Sequence, residues 1–288
     1  MGMITDTSRG DWLLPRAGAW ATAGGVVGTG FEAYARVLHP LDARRHDLAV
    51  TDGWGLHPVV EERAWRWAEV AAHRGRHLHP RVQWTRLTGA EPPLTFETDD
   101  GWAVGPPEEG QLDTAVLATL TEHLGPATTT PDDLVAAVWD GWGDLNGSTA
   151  TLSFFIGEPS EEDIREQQRS DAERALRDAA VQRGLQGPVF EWPGRSFHLM
   201  TASVRLFADP AWLDAADLET WPGAGHTPQM LWPEDRAWVL ATEIDWDATI
   251  VGGGRDLVDG IVGDDRFEAF EVEVDDDLSW AGDVDHRA

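Results

Sequence analysis

A chain of 288 residues that is 42% hydrophobic and carries 16 Trp can bury one large core or two moderate ones, which excludes a disordered chain. Its 51 acidic against 22 basic residues give a formal charge of -29, a field that repels nucleic acid and anionic lipid and favours basic partners. With no Cys there is no disulfide, thiolate nucleophile or Cys-ligated metal, and no apolar run approaches the ~20 residues of a membrane span.

Every basic side chain is Arg. With abundant Ala, Gly, Asp and Trp, this is the usage of a GC-rich genome rather than a demand for guanidinium groups. The opening MGMITDTSRGDWLLPRAG lacks a charged start followed by an apolar run, so no secretion signal is expected and the cytoplasm is the default compartment. Gly24, Gly25, Gly28 and Gly30 resemble a phosphate-cradling loop in composition but lead into a strand instead of opening a helix, so they are read as a loop. That strand is expected over Phe31–His39, with Phe31, Ala33, Ala35 and Val37 on one face.

Glu61–Arg74 has acids first, Arg last and Gly75 as a stop, which predicts one helix. His73, His77 and His79 follow closely, but no fixed carboxylate stands beside them in the sequence, and no metal is expected there. Pro92–Gly110 reads as loop around a short strand. Gln111–Leu124 is an amphipathic helix with Leu112, Val116, Leu117, Leu120 and Leu124 inward. Thr130-Pro131-Asp132-Asp133 carries the chemistry of a helical turn before Leu134–Trp142. Asp-Gly-Trp at residues 52, 100 and 140 and Leu-His-Pro at residues 38, 56 and 78 are too short and unevenly spaced for a repeat fold and are read as turn chemistry.

After an expected strand at Ala150–Gly157, Ser160–Arg183 reads as a long polar surface helix with an acidic first turn, and marks a divide between an N-terminal half, 1–159, and a C-terminal half, 160–288, packed as one unit. Phe190–Ala208 supplies one or two strands and Asp209–Gln229 an irregular connection. Alternation from Ala237 to Asp247 predicts a strand with Trp238, Leu240, Thr242, Ile244 and Trp246 on its core face and Glu243, Asp245 and Asp247 leaving the interior on the other. Gly252-Gly253-Gly254 then opens a helix at Arg255–Val262, where Asp256 at the positive end argues for a plain turn over an anion site. A strand at Phe267–Val274 and a fraying tail complete the chain.

GFEAYARVLHP at 30–40, VWDGWG at 138–143 and LWPEDRAWVLATEID with the following IVGG at 231–253 resemble an uncharacterised family of actinobacterial proteins. The resemblance implies one related unit across both halves and a strand through Val135–Trp142, and it brings no activity, cofactor or catalytic residue.

The fold expected is α+β, a mixed and largely antiparallel sheet flanked by helices. No nucleophile motif, P-loop or zinc signature is present, and an enzyme is the less favoured reading. The function expected is a soluble acidic interaction module, an inhibitor or immunity-type partner of a basic protein. Trp232, Glu234, Asp235, Arg236, Glu243, Asp245 and Asp247 are its candidate binding residues, with no cofactor, metal, nucleic acid or membrane. The alternative is a carboxylate-dependent hydrolase or sugar-binding protein that uses exposed Trp and acids.

Overall fold

The computed structural model describes residues 2–90, 94–146, 160–185, 187–216, 221, 223 and 225–286. Its strands, in chain order, are β1 (Ala33–Leu38), β2 (Leu41–His46), β3 (Val59–Trp65), β4 (Phe96–Glu97), β5 (Trp102–Val104), β6 (Leu134–Trp139), β7 (Phe190–Trp192), β8 (Arg195–Ala202), β9 (Met230–Pro233), β10 (Val239–Thr242), β11 (Ala248–Gly253) and β12 (Ala269–Val272). An eight-stranded sheet runs β12-β1-β11-β10-β9-β6-β8-β7, and a four-stranded sheet runs β3-β2-β5-β4. Every ladder in both is antiparallel, so the protein is α+β. The large sheet draws β1 and β6 from before residue 160 and β7 to β12 from after it.

The central strands are buried on both faces, which is why they read as continuous apolar runs. In β6, Leu134, Ala136 and Val138 join one core, while Val135 and Ala137 join the opposite one. The helices Thr114–Leu124 and Arg255–Val262 cover the first face with Leu117, Leu120, Leu124, Leu257, Val258 and Ile261. The N-terminal segment covers the second with Leu13, Ala23 and Val27. Gly252 lies inside β11 because a Cβ there would stand 2.7 Å from the Phe31 ring. The chain passes from the large sheet to the small one through His39-Pro40, and a third core with Trp65, Trp67, Trp84 and Trp102 sits under the small sheet.

Several elements match their sequence signals. The helix Glu161–Gly184 starts with a capping box in which Ser160 and Asp163 satisfy each other's backbone N–H. The helix Arg255–Val262 takes the Glu32 carboxylate on its Arg255 N–H at 2.9 Å, so its positive end is filled from within the chain. The expected strand at 150–157 lies outside the described residues.

Four expectations are corrected. Gly24 and Gly25, read as loop, lie in a short helix over Ala23–Val27, whose cap Thr22 accepts the Gly25 N–H at 3.0 Å. Glu61–Arg74 is the end of β3 followed by a helix over Trp67–Arg74. Glu61 and Glu62 pair with Arg45 and Arg44 across the β2–β3 ladder, and it is Glu69, bound to the Arg66 N–H at 2.9 Å, that starts the helix. The strand expected through Asp247 stops at Thr242, and residues 243–247 form the turn between β10 and β11. The tail does not fray: Leu278 and Asp283 are buried, and Leu278 donates its N–H to the Ala21 carbonyl at 2.9 Å.

Candidate functional site

The turn at 243–247 closes on itself through the Trp246 N–H and Glu243 carbonyl at 3.0 Å. Loop 106–110 docks on it, with the Gly110 N–H donating to the Trp246 carbonyl at 3.0 Å. Only glycine serves at 110, where φ is +75° and a Cβ would meet the Ile244 carbonyl oxygen at 2.6 Å. Between this pair of loops and the tail lies a cleft of about 320 Å³. Leu278, Ser279 and Trp280 form its far wall, held by Gln83, whose side-chain amide donates to the Leu278 carbonyl at 2.9 Å. Trp84, Trp246 and Pro107 give it apolar surface. Trp20, 78% exposed, and Trp280, 60% exposed, stand on its rim, and the Arg86 guanidinium lies 3.5 Å over the Trp280 ring.

Polar groups converge on the same space. Arg36 projects from β1, is 1% exposed, and donates through one terminal nitrogen to the Pro80 and Val82 carbonyls at 2.9 and 2.8 Å. Its other terminal nitrogen lies 3.4 Å from Asp247, and its Nε has no partner among the described residues. Burial lowers the Arg36 pKa, opposed by the charges of Asp247 and Asp283. Glu109, Asp245 and Asp247 also line the cleft. Burial pushes the Glu109 carboxyl above the ordinary carboxylate range, and the negative charges of Asp247 and Asp245 push it further. Asp245 meets Arg195 at 2.9 Å at the cleft's edge. Glu243 meets the same Arg195 but lines an adjoining hollow with Trp192 and Trp246, and burial raises its pKa despite that arginine.

No family model, curated protein or solved structure matches the chain. The chemistry of the site itself therefore carries any functional reading.

The candidate residues separate into two places. Asp245 and Asp247 stand together in the cleft with Glu243 next to it. Glu234, Asp235 and Arg236 form the turn at the other end of β10, between β9 and β10. There Glu234 binds Arg9 at 2.6 Å, and Arg236, at φ +61°, lies 5.4 Å over the Trp12 ring. Asp235 accepts from the Thr128 hydroxyl and from the Thr129 hydroxyl and N–H; burial raises its pKa, but these bonds outweigh it and hold the carboxyl below the ordinary range. That turn is a structural clasp on the 128–133 loop. Trp232 is 1% exposed and packs on the Phe190 ring at 6.1 Å, so it is a core side chain and not an apolar anchor for a partner.

Sequence reading missed Arg36, Glu109, Trp20 and Trp280. The signal for Arg36 was a single charge inside an apolar strand; the others carry none, because only the tertiary fold brings residues 20, 36, 109, 247 and 280 together. It also missed a cluster behind the tail wall, where His79, Asp283 and His286 offer nitrogen and oxygen atoms within 4.8 Å of one another.

Proposed function

We propose that the protein is an acidic interaction module that captures a basic partner by seating a cationic side chain in the tryptophan-rimmed cleft. Such a module would act as an inhibitor or immunity-type partner of a basic protein. The observation that carries this reading is an acid-lined cleft with an aromatic rim, in which burial first, and then the charges of Asp247 and Asp245, push the Glu109 carboxyl upward. An arriving guanidinium or ammonium relieves that repulsion and gains aromatic faces. The stacking of Arg86 on Trp280 is an intramolecular instance of the same contact. The overall charge of -29 adds long-range attraction, which speeds encounter with a cation and slows it with a polyanion.

A hexa-arginine peptide titrated into the protein tests this. Saturable quenching of Trp fluorescence is expected, tighter at low salt and persisting at physiological salt. Asp245→Asn and Glu109→Gln should each weaken it by about tenfold or more. Binding that is nonsaturable, or unchanged in both variants, rejects the cleft as the site.

One observation favours a second reading, a sugar-binding protein or carboxylate-dependent hydrolase: a carboxyl with raised pKa stands beside further acids between tryptophans, the pairing of acid and carboxylate that glycosidic cleavage requires. Saturable oligosaccharide binding, with turnover lost in Glu109→Gln, would select it.

A further inference from the structure

The cluster of His79, Asp283 and His286 lies outside the cleft and is not used by the reading above. His79 precedes Pro80 in the segment leading to the helix Trp84–Thr88, while Asp283 and His286 come from the tail, so the fold joins positions 204 and more residues apart. All three are buried, with Asp283 fully so. Asp283 places one oxygen 3.0 Å from His79 Nε2 and the other 3.0 Å from His286 Nδ1. Its carboxylate is fixed by two backbone donors, the Gln83 N–H at 2.9 Å and the His286 N–H at 3.1 Å.

The two ring nitrogens of His286 face two different oxygens. Its Nε2 lies 3.1 Å from the His77 carbonyl, which only accepts, so Nε2 carries a proton. Nδ1 points at an Asp283 oxygen at 3.0 Å, a contact that either a second ring proton or a metal ion can bridge. One ligand atom from each of His79, Asp283 and His286 lies within 4.8 Å of the others, close enough for a single ion to touch all three residues. A ring nitrogen directed at such an ion, with the opposite N–H on a backbone carbonyl, is the way histidines are oriented as metal ligands.

We propose that His79 Nε2, His286 Nδ1 and Asp283 bind a divalent transition-metal ion of the zinc class, which pins the tail to the segment beside the cleft. Two imidazoles and one carboxylate suit a borderline ion over calcium or magnesium, whose ligands are oxygens. His77 stands beside a fourth position: its ring centroid is 5.7 Å from that of His286 and 5.8 Å from that of His79, and its side chain, with Nε2 3.7 Å from Asp285, is 71% exposed. Coordination moves the His79 ring proton to Nδ1, which gives up the 3.3 Å contact from the Arg81 N–H, the longest in the cluster. The consequence for the molecule is local. Leu278 to Trp280 wall the cleft and Asp283 follows a few residues later, while Gln83 touches both the wall and the Asp283 carboxylate. An ion at this point holds that wall.

The test uses the untagged full chain, stripped with a chelator, dialysed, and titrated calorimetrically with zinc chloride and spectroscopically with cobalt chloride. One equivalent of zinc is expected to bind, with cobalt giving the visible absorption of a low-coordinate nitrogen and oxygen site, and zinc is expected to raise the melting temperature. Asp283→Asn and His286→Gln should each lose affinity by about 100-fold or more, beyond the 10–100-fold that losing a second-shell partner costs. His77→Ala changes an exposed side chain, so it should fold even where the buried variants do not, and it should shift the cobalt spectrum. Absence of stoichiometric binding by the wild-type chain, or full affinity in Asp283→Asn and His286→Gln, overturns the proposal. Peptide capture by the cleft is read separately and stands or falls on its own titration.

Discussion

Replacing Asp247 with Ala removes the nearest counter-charge of a guanidinium that has almost no access to water. The Arg36 side chain is 2% exposed and Asp247 13%, with 3.4 Å between nitrogen and oxygen. At an effective dielectric of about 20 this separation is worth about 5 kcal/mol of attraction before desolvation is counted. Losing one partner of a buried pair costs about 3–5 kcal/mol, because the other charge stays behind uncompensated. The Pro80 and Val82 carbonyls still hold Arg36, and Asp283 still acts on it, so the low end applies. A loss of about 3 kcal/mol is expected for Asp247→Ala in urea denaturation followed by Trp fluorescence. Arg36→Met leaves a carboxylate that water reaches more easily, so it should cost less, about 2 kcal/mol, much of it from the abandoned carbonyls. The double variant should then cost at least about 1 kcal/mol less than the sum of the two. A loss below about 1 kcal/mol for Asp247→Ala, or strict additivity, would show that Arg36 is held by its carbonyls alone and refute the argument.

Two further outcomes follow from single positions. His39 is buried, with Nδ1 at 2.6 Å from the Glu108 carbonyl and Nε2 at 3.0 Å from the Thr249 hydroxyl, and burial lowers its pKa. The unfolded chain takes up the proton first as pH falls. Stability from this group is therefore complete above its unfolded value of about 6.5 and declines below it, by up to about 1.4 kcal/mol per pH unit. His39→Gln should flatten the wild-type stability slope between neutral pH and pH 5, and parallel slopes would contradict this. Gly110→Ala forces a Cβ against the Ile244 carbonyl at a positive φ. It should cost about 1–3 kcal/mol in denaturation and weaken hexa-arginine binding, because the loop that carries Glu109 must shift; a fully stable variant with unchanged binding would argue against the docking described.

Local signals carried two of the long helices well. Ser160 with Asp163, and Leu117 to Leu124 at helical spacing before Gly125, are patterns whose physics lies within one turn of chain. The errors fell where a distant partner decides. Glu61 and Glu62 are acids suited to a helix start, yet their partners Arg44 and Arg45 sit on a neighbouring strand. Alternation past Thr242 continued in the sequence, but Gly110 and loop 106–110 dock where the chain turns. The tail looked too polar to order, and it is ordered by Asp283 meeting His79 and Gln83 about 200 positions earlier. Asp245 and Asp247 were legible as acids at the end of an apolar run. Their company, Arg36, Glu109, Trp20 and Trp280, was not, since no spacing in the chain relates these residues.

The most direct measurement of cation capture follows the indole N–H signals by two-dimensional NMR as hexa-arginine peptide is added. Each of the 16 Trp gives its own reporter. Trp20, Trp246 and Trp280 line the cleft, whereas Trp54 is equally exposed on the 51–57 loop and lines none of it. Saturable shifts are expected at Trp20, Trp246 and Trp280, with Trp54 still and the shifts lost in Asp245→Asn. Shifts of similar size at Trp54, or none at the cleft residues at saturating peptide, would contradict cation capture by the cleft.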